Sequence, residues 1–305
     1  MQFGFNLEDN LFALHAEIRD KKWSADVYTS FFVTDPKRRH IHKATVRDRI
    51  LYQAVYRRLY PIFDKRFIHD SYSSRKGKGT HSGVVHLDEC MRKMSANYTK
   101  RIYALKCDVK RFFDSIDHSV LYILIARRIS DPDLLSLIEA IIKSFETVSG
   151  KGLPLGNVTS QLFANVYLNE FDQFVKRVLK VKFYLRYCDD FVILGETKEE
   201  LIRLLVFVHR FLAKELQVAL HPRKISIRTP YQGVDFLGYV SLSGFRVLRT
   251  CTKKRIVSSY IRDVAEVKTE RDRERLKSIF YSYKGLLSHC RGYHIWCKLC
   301  GVFKF

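Results

Sequence analysis

Tyr187-Cys188-Asp189-Asp190 stands between Val181-Lys182-Phe183-Tyr184-Leu185-Arg186 and Phe191-Val192-Ile193-Leu194, two runs rich in aromatic and β-branched residues. The pattern predicts two strands joined by a tight turn, a hairpin with an acidic pair at its tip. Adjacent carboxylates repel one another, and apolar strands beside them raise their pKa values further, so the arrangement asks for a cation. A divalent metal supplies one; a solvated Asp-Asp turn is the plainer reading that the pair alone also fits.

One neighbouring feature favours the metal. Arg101 to Val109 alternates as a strand and ends in Asp108, an acid that is costly there unless used and that offers a third oxygen ligand. Asp114 and Asp117, just beyond it, fit as caps of a helix from His118 to Ile129. Gly150 to Gln161 is glycine-rich and feeds a periodic segment from Leu162 to Leu179, so free amides before a helix can hold a sugar, a phosphate or a base edge. Thr159 or Ser160 is the candidate cap. Ser71 to His81 alternates Arg75, Lys76 and Lys78 with Gly77 and Gly79, a basic loop whose backbone can approach phosphates but which has no P-loop pattern.

Charge points to a polyanionic partner. The 305-residue chain carries +22 with pI near 9.7. Residues 36–111 hold 20 Lys/Arg against 6 Asp/Glu, or +14, and residues 249–305 hold 14 against 5, or +9. Two basic regions thus flank a nearly neutral middle that contains the acidic hairpin, as expected if nucleic acid is clamped on both sides of a catalytic floor. No 18-residue apolar run and no charged-then-apolar leader at Met1 is found, so no membrane partner and a cytoplasmic location are expected. Seven cysteines, an odd number, fit reduced thiols. His289, Cys290, His294, Cys297 and Cys300 cluster with half a zinc spacing, and buried or idle thiols are the default reading.

Elsewhere the periodicity predicts a helix and an apolar patch (Tyr28, Phe31, Phe32) within residues 1–35, then a basic connector, Pro36 to His40. Helices follow over Thr45 to Phe67, 82–99, 131–146 and Lys198 to Leu216. His221 to Ile227 brings Lys224 to a strand start. Val234 to Val240 and Phe245 to Leu248 predict one hairpin turning at Ser243-Gly244, and the remainder from Thr252 is basic and helical, with charged turns near Arg271 to Arg275.

In order along the chain, these blocks resemble the reverse transcriptases. Cys107-Asp108-Val109-Lys110-Arg111-Phe112-Phe113 looks like the first catalytic-aspartate motif, Gly152 to Gln161 like the nucleotide-pocket motif, Tyr187 to Asp190 like the Y-x-D-D box, and Val234 to Val240, with Phe236, Leu237 and Gly238, like the primer grip. The resemblance runs from about Pro36 to Leu248. Leu155-Gly156-Asn157-Val158-Thr159-Ser160-Gln161 departs from the usual Gln-Gly pair followed by Ser-Pro and resembles instead the enzymes of bacterial and phage diversity-generating retroelements, as does the stretch from Phe67 to His81. Those enzymes copy a template-repeat RNA into cDNA with errors at adenines, assisted by a small basic accessory protein.

The resemblance implies an α+β, right-hand polymerase: an N-terminal helical extension (1–35), fingers (36–100), a palm with an antiparallel sheet (101–250, including helices over 117–180) and a short helical thumb (251–305). It implies that Asp108, Asp189 and Asp190, with the Val109 carbonyl, hold two Mg²⁺ ions, with Mn²⁺ as a substitute. Lys224 would protonate the leaving pyrophosphate or contact a phosphate, while Arg75 and Lys78 neutralise the triphosphate. Phe113, or else Phe112, would exclude a 2′-hydroxyl, and Leu155, Gly156 and Gln161 would line the nucleotide pocket. Template RNA, primer or cDNA, and dNTPs are the implied partners. No room for an RNase H or endonuclease domain is expected after the thumb. The rivals are another bacterial reverse transcriptase, of group II intron, retron or phage-defence kind, and a catalytically idle RNA-binding relative.

Overall fold

The computed structural model describes residues 2–34 and 37–302. In chain order the strands among them are β1 (Thr29–Val33), β2 (Arg39–Lys43), β3 (Tyr103–Asp108), β4 (Tyr184–Tyr187), β5 (Asp190–Gly195), β6 (Ser226–Arg228), β7 (Val234–Phe236), β8 (Tyr239–Leu242) and β9 (Phe245–Leu248). They make three antiparallel sheets, β1-β2, β4-β5-β3-β6 and β7-β8-β9.

The four-stranded sheet is apolar on both faces, and period-two alternation assigns each face its own core. Leu105, Cys107, Phe191, Ile193 and Tyr184 pack on one side with the helices Val46–Asp64, His118–Ala126, Val158–Gln173 and Lys198–Glu215. Ala104, Leu185, Val192 and Leu194 pack on the other with Leu87, Cys90 and Met91 of the helix Thr80–Met94 and with Val234 and Phe236 of β7. A third core joins β8 and β9 to the C-terminal helices Thr250–Ala265, Glu270–Leu287 and Tyr293–Val302 through Tyr239, Leu248, Tyr260, Leu276 and Phe280.

Most sequence expectations meet a matching element, with local differences. The first 35 residues are helical only to Arg19; the apolar patch around Phe31 is strand β1 and the basic connector runs into β2, the start of that connector at Pro36 lying outside the described residues. The segment Val234 to Val240 is two strands, not one, because Leu237 (φ 52°) and Gly238 (φ 89°) form a two-residue turn between β7 and β8, while the expected turn at Ser243-Gly244 joins β8 to β9. Asp117 caps the helix His118–Ala126 as expected, but Asp114 lies in a separate short helix, Phe112–Ser115. Asn157, rather than Thr159 or Ser160, is the residue before the helix Val158–Gln173. Arg271 to Arg275 lies inside a helix whose start is fixed by a reciprocal Thr269–Asp272 capping box.

Candidate active site

Register brings the acids together. Antiparallel pairing of β3 with β5 sets Asp108 directly opposite Asp190, and pairing of β4 with β5 sets Tyr187 opposite Asp190, so Cys188 and Asp189 form a two-residue turn. Cys188 takes the positive φ (55°) at the first corner of that turn. The Asp189 carbonyl accepts from the Val109 amide at 3.1 Å, which ties the turn to the chain leaving β3. Bonds from Lys110 N to Ala219 O (2.8 Å) and His221 N to Asp108 O (2.8 Å) flank Val109 without using its carbonyl, and they draw the Lys224 segment alongside.

Two lysines border the acids. Lys224 Nζ lies 2.6 Å from Asp108 Oδ1, and Lys106 Nζ lies 3.6 Å from Asp190 Oδ2 and 4.0 Å from Asp235 Oδ1, where Arg249 Nε also donates at 2.9 Å. The compensation is incomplete. Asp190 Oδ1 is buried without a hydrogen-bond partner. Burial, opposed by Lys106 and reinforced by Asp108 and Asp189, pushes the Asp190 carboxyl up to about 6; burial and then the Asp108 charge raise Asp189. Burial and the Asp189 charge hold the Cys188 thiol up at about 12, so it remains neutral near pH 7.

An all-oxygen donor set with an orphaned buried carboxylate oxygen fits hard divalent cations such as Mg²⁺. The three carboxylates are not drawn to a single point: among the described residues, the one trio of acid, His or Cys side chains with ligand atoms within 4.8 Å of each other is His69, Asp70 and His86. Asp108 and Asp190 each contact a different lysine, Lys224 and Lys106, and a pair of ions spans more than one coordination sphere.

The acids open into a cleft of about 600 Å³. Phe113, Leu155, Gly156, Gln161, Leu237 and Lys224 line it. Phe112 is core-buried while Phe113 is only half-buried, so Phe113 is the ring with a free face. The Leu155 carbonyl accepts from His42 N at 2.9 Å, fixing the pocket loop to β2. A Cβ at Gly156 (φ +123°) would meet Ile41 Cγ2 at 3.2 Å, so backbone there approaches as only glycine allows. Of the primer-grip residues, Leu237 reaches the cleft, Phe236 is buried in the second core, and the Gly238 carbonyl accepts from Arg249 N at 3.0 Å.

Arg75 and Lys78 stand apart from the cleft lining. Arg75 is 9% exposed and its guanidinium is committed to Asp64 Oδ1 (2.7 Å), Ile68 O (2.7 Å) and Ser71 O (3.1 Å). Lys78 lies over the Tyr72 ring at 4.9 Å. Their loop contributes Ser73 and Ser74 instead, and the cleft's cations besides Lys224 are Lys37, Arg39 and Arg111. Local pattern could not reveal this, since those cations come from separate segments.

A second feature that the sequence reading passed over lies behind the turn. Arg186 and Asp172 are fully buried and paired in a fork, Nε to Oδ1 at 2.7 Å and Nη2 to Oδ2 at 2.6 Å. Arg186 also donates to Asn165 Oδ1 (3.2 Å), Ser71 Oγ (3.2 Å) and the Cys188 carbonyl (3.0 Å), and Tyr184 donates to Asp172 Oδ1 at 2.7 Å. The available signal was a lone cation inside the apolar run Tyr184-Leu185-Arg186-Tyr187. His289, Cys290, His294, Cys297 and Cys300 do not assemble a ligand trio among the described residues.

Among solved structures, the fold is similar to telomerase from Candida albicans in complex with a TWJ fragment of telomeric RNA (TM-score 0.56, 10% identity, 94% of this chain and 60% of that one). It is likewise similar to an apo telomerase from Candida tropicalis truncated from its C-terminal domain (TM-score 0.55, 14% identity, 79% and 60%). Among curated proteins, Protein YkfC of Escherichia coli is 27% identical over 237 residues, 64% of this chain and 60% of that protein. The group II intron-encoded protein LtrA of Lactococcus lactis is 30% identical over 155 residues, 48% of this chain and 24% of that protein, so the chain spans only part of these relatives' length. The reverse transcriptase (RNA-dependent DNA polymerase) family model matches residues 33–241, more than half of the sequence and all of β3 to β5. With mixed helix and sheet of the polymerase type and Asp108, Asp189 and Asp190 lining one cleft where β3 ends and β5 begins, the chain belongs to the reverse transcriptase family.

Proposed function

We propose that this chain is an RNA-directed DNA polymerase whose catalytic acids are Asp108, Asp189 and Asp190. The observation that carries the reading is the opposition of Asp108 and Asp190 across β3 and β5, with one buried carboxylate oxygen left unpartnered. The acids, with the Val109 carbonyl, would hold Mg²⁺ or Mn²⁺, which when bound lower the pKa of a primer 3′-hydroxyl and offset charge on the leaving pyrophosphate. Lys37, Arg39 and Arg111 supply the positive charge that a triphosphate in this cleft requires, in place of Arg75 and Lys78. Lys224, 2.6 Å from Asp108 Oδ1, can contact a phosphate oxygen or protonate the leaving group. Phe113 presents a flat face that leaves no room for a 2′-hydroxyl, and Leu237 offers apolar support to a primer end across the cleft. The expected fingers, palm and thumb correspond in this reading to residues 36–100, 101–250 and 251–305. Extension of an oligo(dT) primer on poly(rA) with Mg²⁺ is expected for wild type and absent for Asp189→Ala; equal extension by both would sink the proposal.

Within this activity we infer the diversity-generating type: error-prone copying of a template-repeat RNA, in company with a small basic accessory protein. Leu155 supports it, because a leucine facing the cleft contacts a nucleotide without a geometry-sensing hydrogen bond. That loss narrows the gap between right and wrong pairs by roughly 1 to 2 kcal/mol, a tenfold scale in errors. Similarity to LtrA favours the alternative of a group II intron type. The misincorporation spectrum separates them: errors concentrated at template adenine and reduced in Leu155→Gln are expected, whereas a uniform spectrum unchanged by that substitution favours the intron type.

A further inference from the structure

Away from the cleft, His69, Asp70 and His86 bring three ligand atoms within 4.8 Å of one another. Asp70 Oδ1 lies 3.1 Å from His69 Nδ1 and 3.2 Å from His86 Nε2. With metal bonds of about 2.0 to 2.1 Å, neighbouring corners of a zinc tetrahedron stand roughly 3.3 Å apart. Two of the three edges therefore already have nearly the required length.

The outer contacts match as well. His86 Nδ1 faces Glu89 Oε2 at 3.5 Å, and Lys176 Nζ holds Asp70 Oδ2 at 2.8 Å. With its proton on Nδ1, facing the Glu89 carboxylate, His86 turns the Nε2 lone pair toward Asp70, and Lys176 occupies the second Asp70 oxygen, leaving Oδ1 for an ion. Asp70 is fixed from behind by its carbonyl, which accepts from Arg186 N at 2.9 Å. The His69 side chain is 72% exposed, so the fourth corner opens to water.

We propose that His69, Asp70 and His86 form a zinc site with water as the fourth ligand. Imidazole and carboxylate ligands in this ratio suit zinc better than the hard cations of the cleft. The position gives the ion a purpose. Asp70 precedes the loop that contributes Ser73 and Ser74 to the cleft, and His86 sits in the helix Thr80–Met94 that follows it. Bound zinc cross-links the two ends of that loop, restricting its opening as any short covalent or metal clip does. None of the three ligands lines the cleft, so the site is separate from the acids and does not depend on polymerisation.

Zinc titration of the full chain by calorimetry tests this, with millimolar Mg²⁺ present to occupy the acids and melting temperature followed in parallel. One zinc per chain and a higher melting temperature are expected. Both should persist in Cys290→Ser/Cys297→Ser/Cys300→Ser and vanish in His69→Gln/His86→Gln, while Glu89→Gln weakens affinity about tenfold. No zinc bound by wild type, or equal binding by the double histidine variant, overturns the site. Should the double variant fail to fold, unchanged affinity in both His86→Gln and Glu89→Gln does the same. These readouts involve no DNA synthesis, so they stand or fall independently of the polymerase reading.

Discussion

Two sets of acids, Asp172 in the helix Val158–Gln173 and Asp189 and Asp190 at the turn between β4 and β5, are treated in opposite ways. Asp172 is matched by the forked Arg186 and a tyrosine hydroxyl, and every donor of that network points at a fixed acceptor. Asp189 and Asp190 are only half-buried, their lysines lie at the margins, one carboxylate oxygen has no partner, and both pKa values rise. An acid whose charge is fully matched builds the fold; in the proposed reading, one left short of positive charge keeps a place for a cation that is not part of the chain.

The contrast is broken most strongly by exchanging the roles. Arg186→Met leaves Asp172 buried without its cation and is expected to destabilise by about 3 to 5 kcal/mol, whereas Asp172→Leu/Arg186→Met, which removes both charges, recovers a large part of that loss. Asp189→Ala should leave the melting temperature of metal-free protein unchanged or higher, because it relieves repulsion. Urea denaturation of the four proteins measures this, and a Asp189→Ala protein as unstable as Arg186→Met would erase the distinction.

A smaller effect concerns pH. The folded Asp190 carboxyl, at about 6, lies above the ordinary value of about 3.9, so the metal-free fold holds this proton more tightly than the unfolded chain does. That contribution is complete below pH of about 3.9 and lost as pH rises through about 6. In metal-free buffer, Asp190→Asn should therefore gain in melting temperature over wild type between pH of about 4.5 and about 7. Mg²⁺ should close the gap at neutral pH and not at pH of about 5, where protons compete for the carboxylate. Parallel melting curves across that range would remove the under-compensated acid from the account. The smallest expected change is in selectivity: Phe113→Ala should lower discrimination against ribonucleotides by roughly tenfold, read from competing dNTP and rNTP incorporation.

The matched and unmatched acids were not equally legible in the sequence. The unmatched pair announces itself because a two-residue turn between alternating apolar runs is a local pattern, and Asp108 ends a strand of the same kind. Gly156 and the motif order were equally local. Arg186 and Asp172 are 14 residues apart and meet through the packing of a helix on a strand, which no periodicity encodes. The same reason explains Arg75: a basic glycine-rich loop fits a phosphate contact in isolation, and only the fold reveals Asp64 waiting behind it. The break at Leu237-Gly238 was hidden because a leucine with positive φ looks, in sequence, like one more strand residue.

The short contact between Lys224 and Asp108 has a consequence for biogenesis. Proteins that rely on an imported ion to neutralise a crowded site often remain unfolded until it arrives. Here the polypeptide carries its own counterion for one of the three acids, so in the proposed metal-binding reading the newly made chain reaches its final shape in ion-poor surroundings and is loaded afterwards.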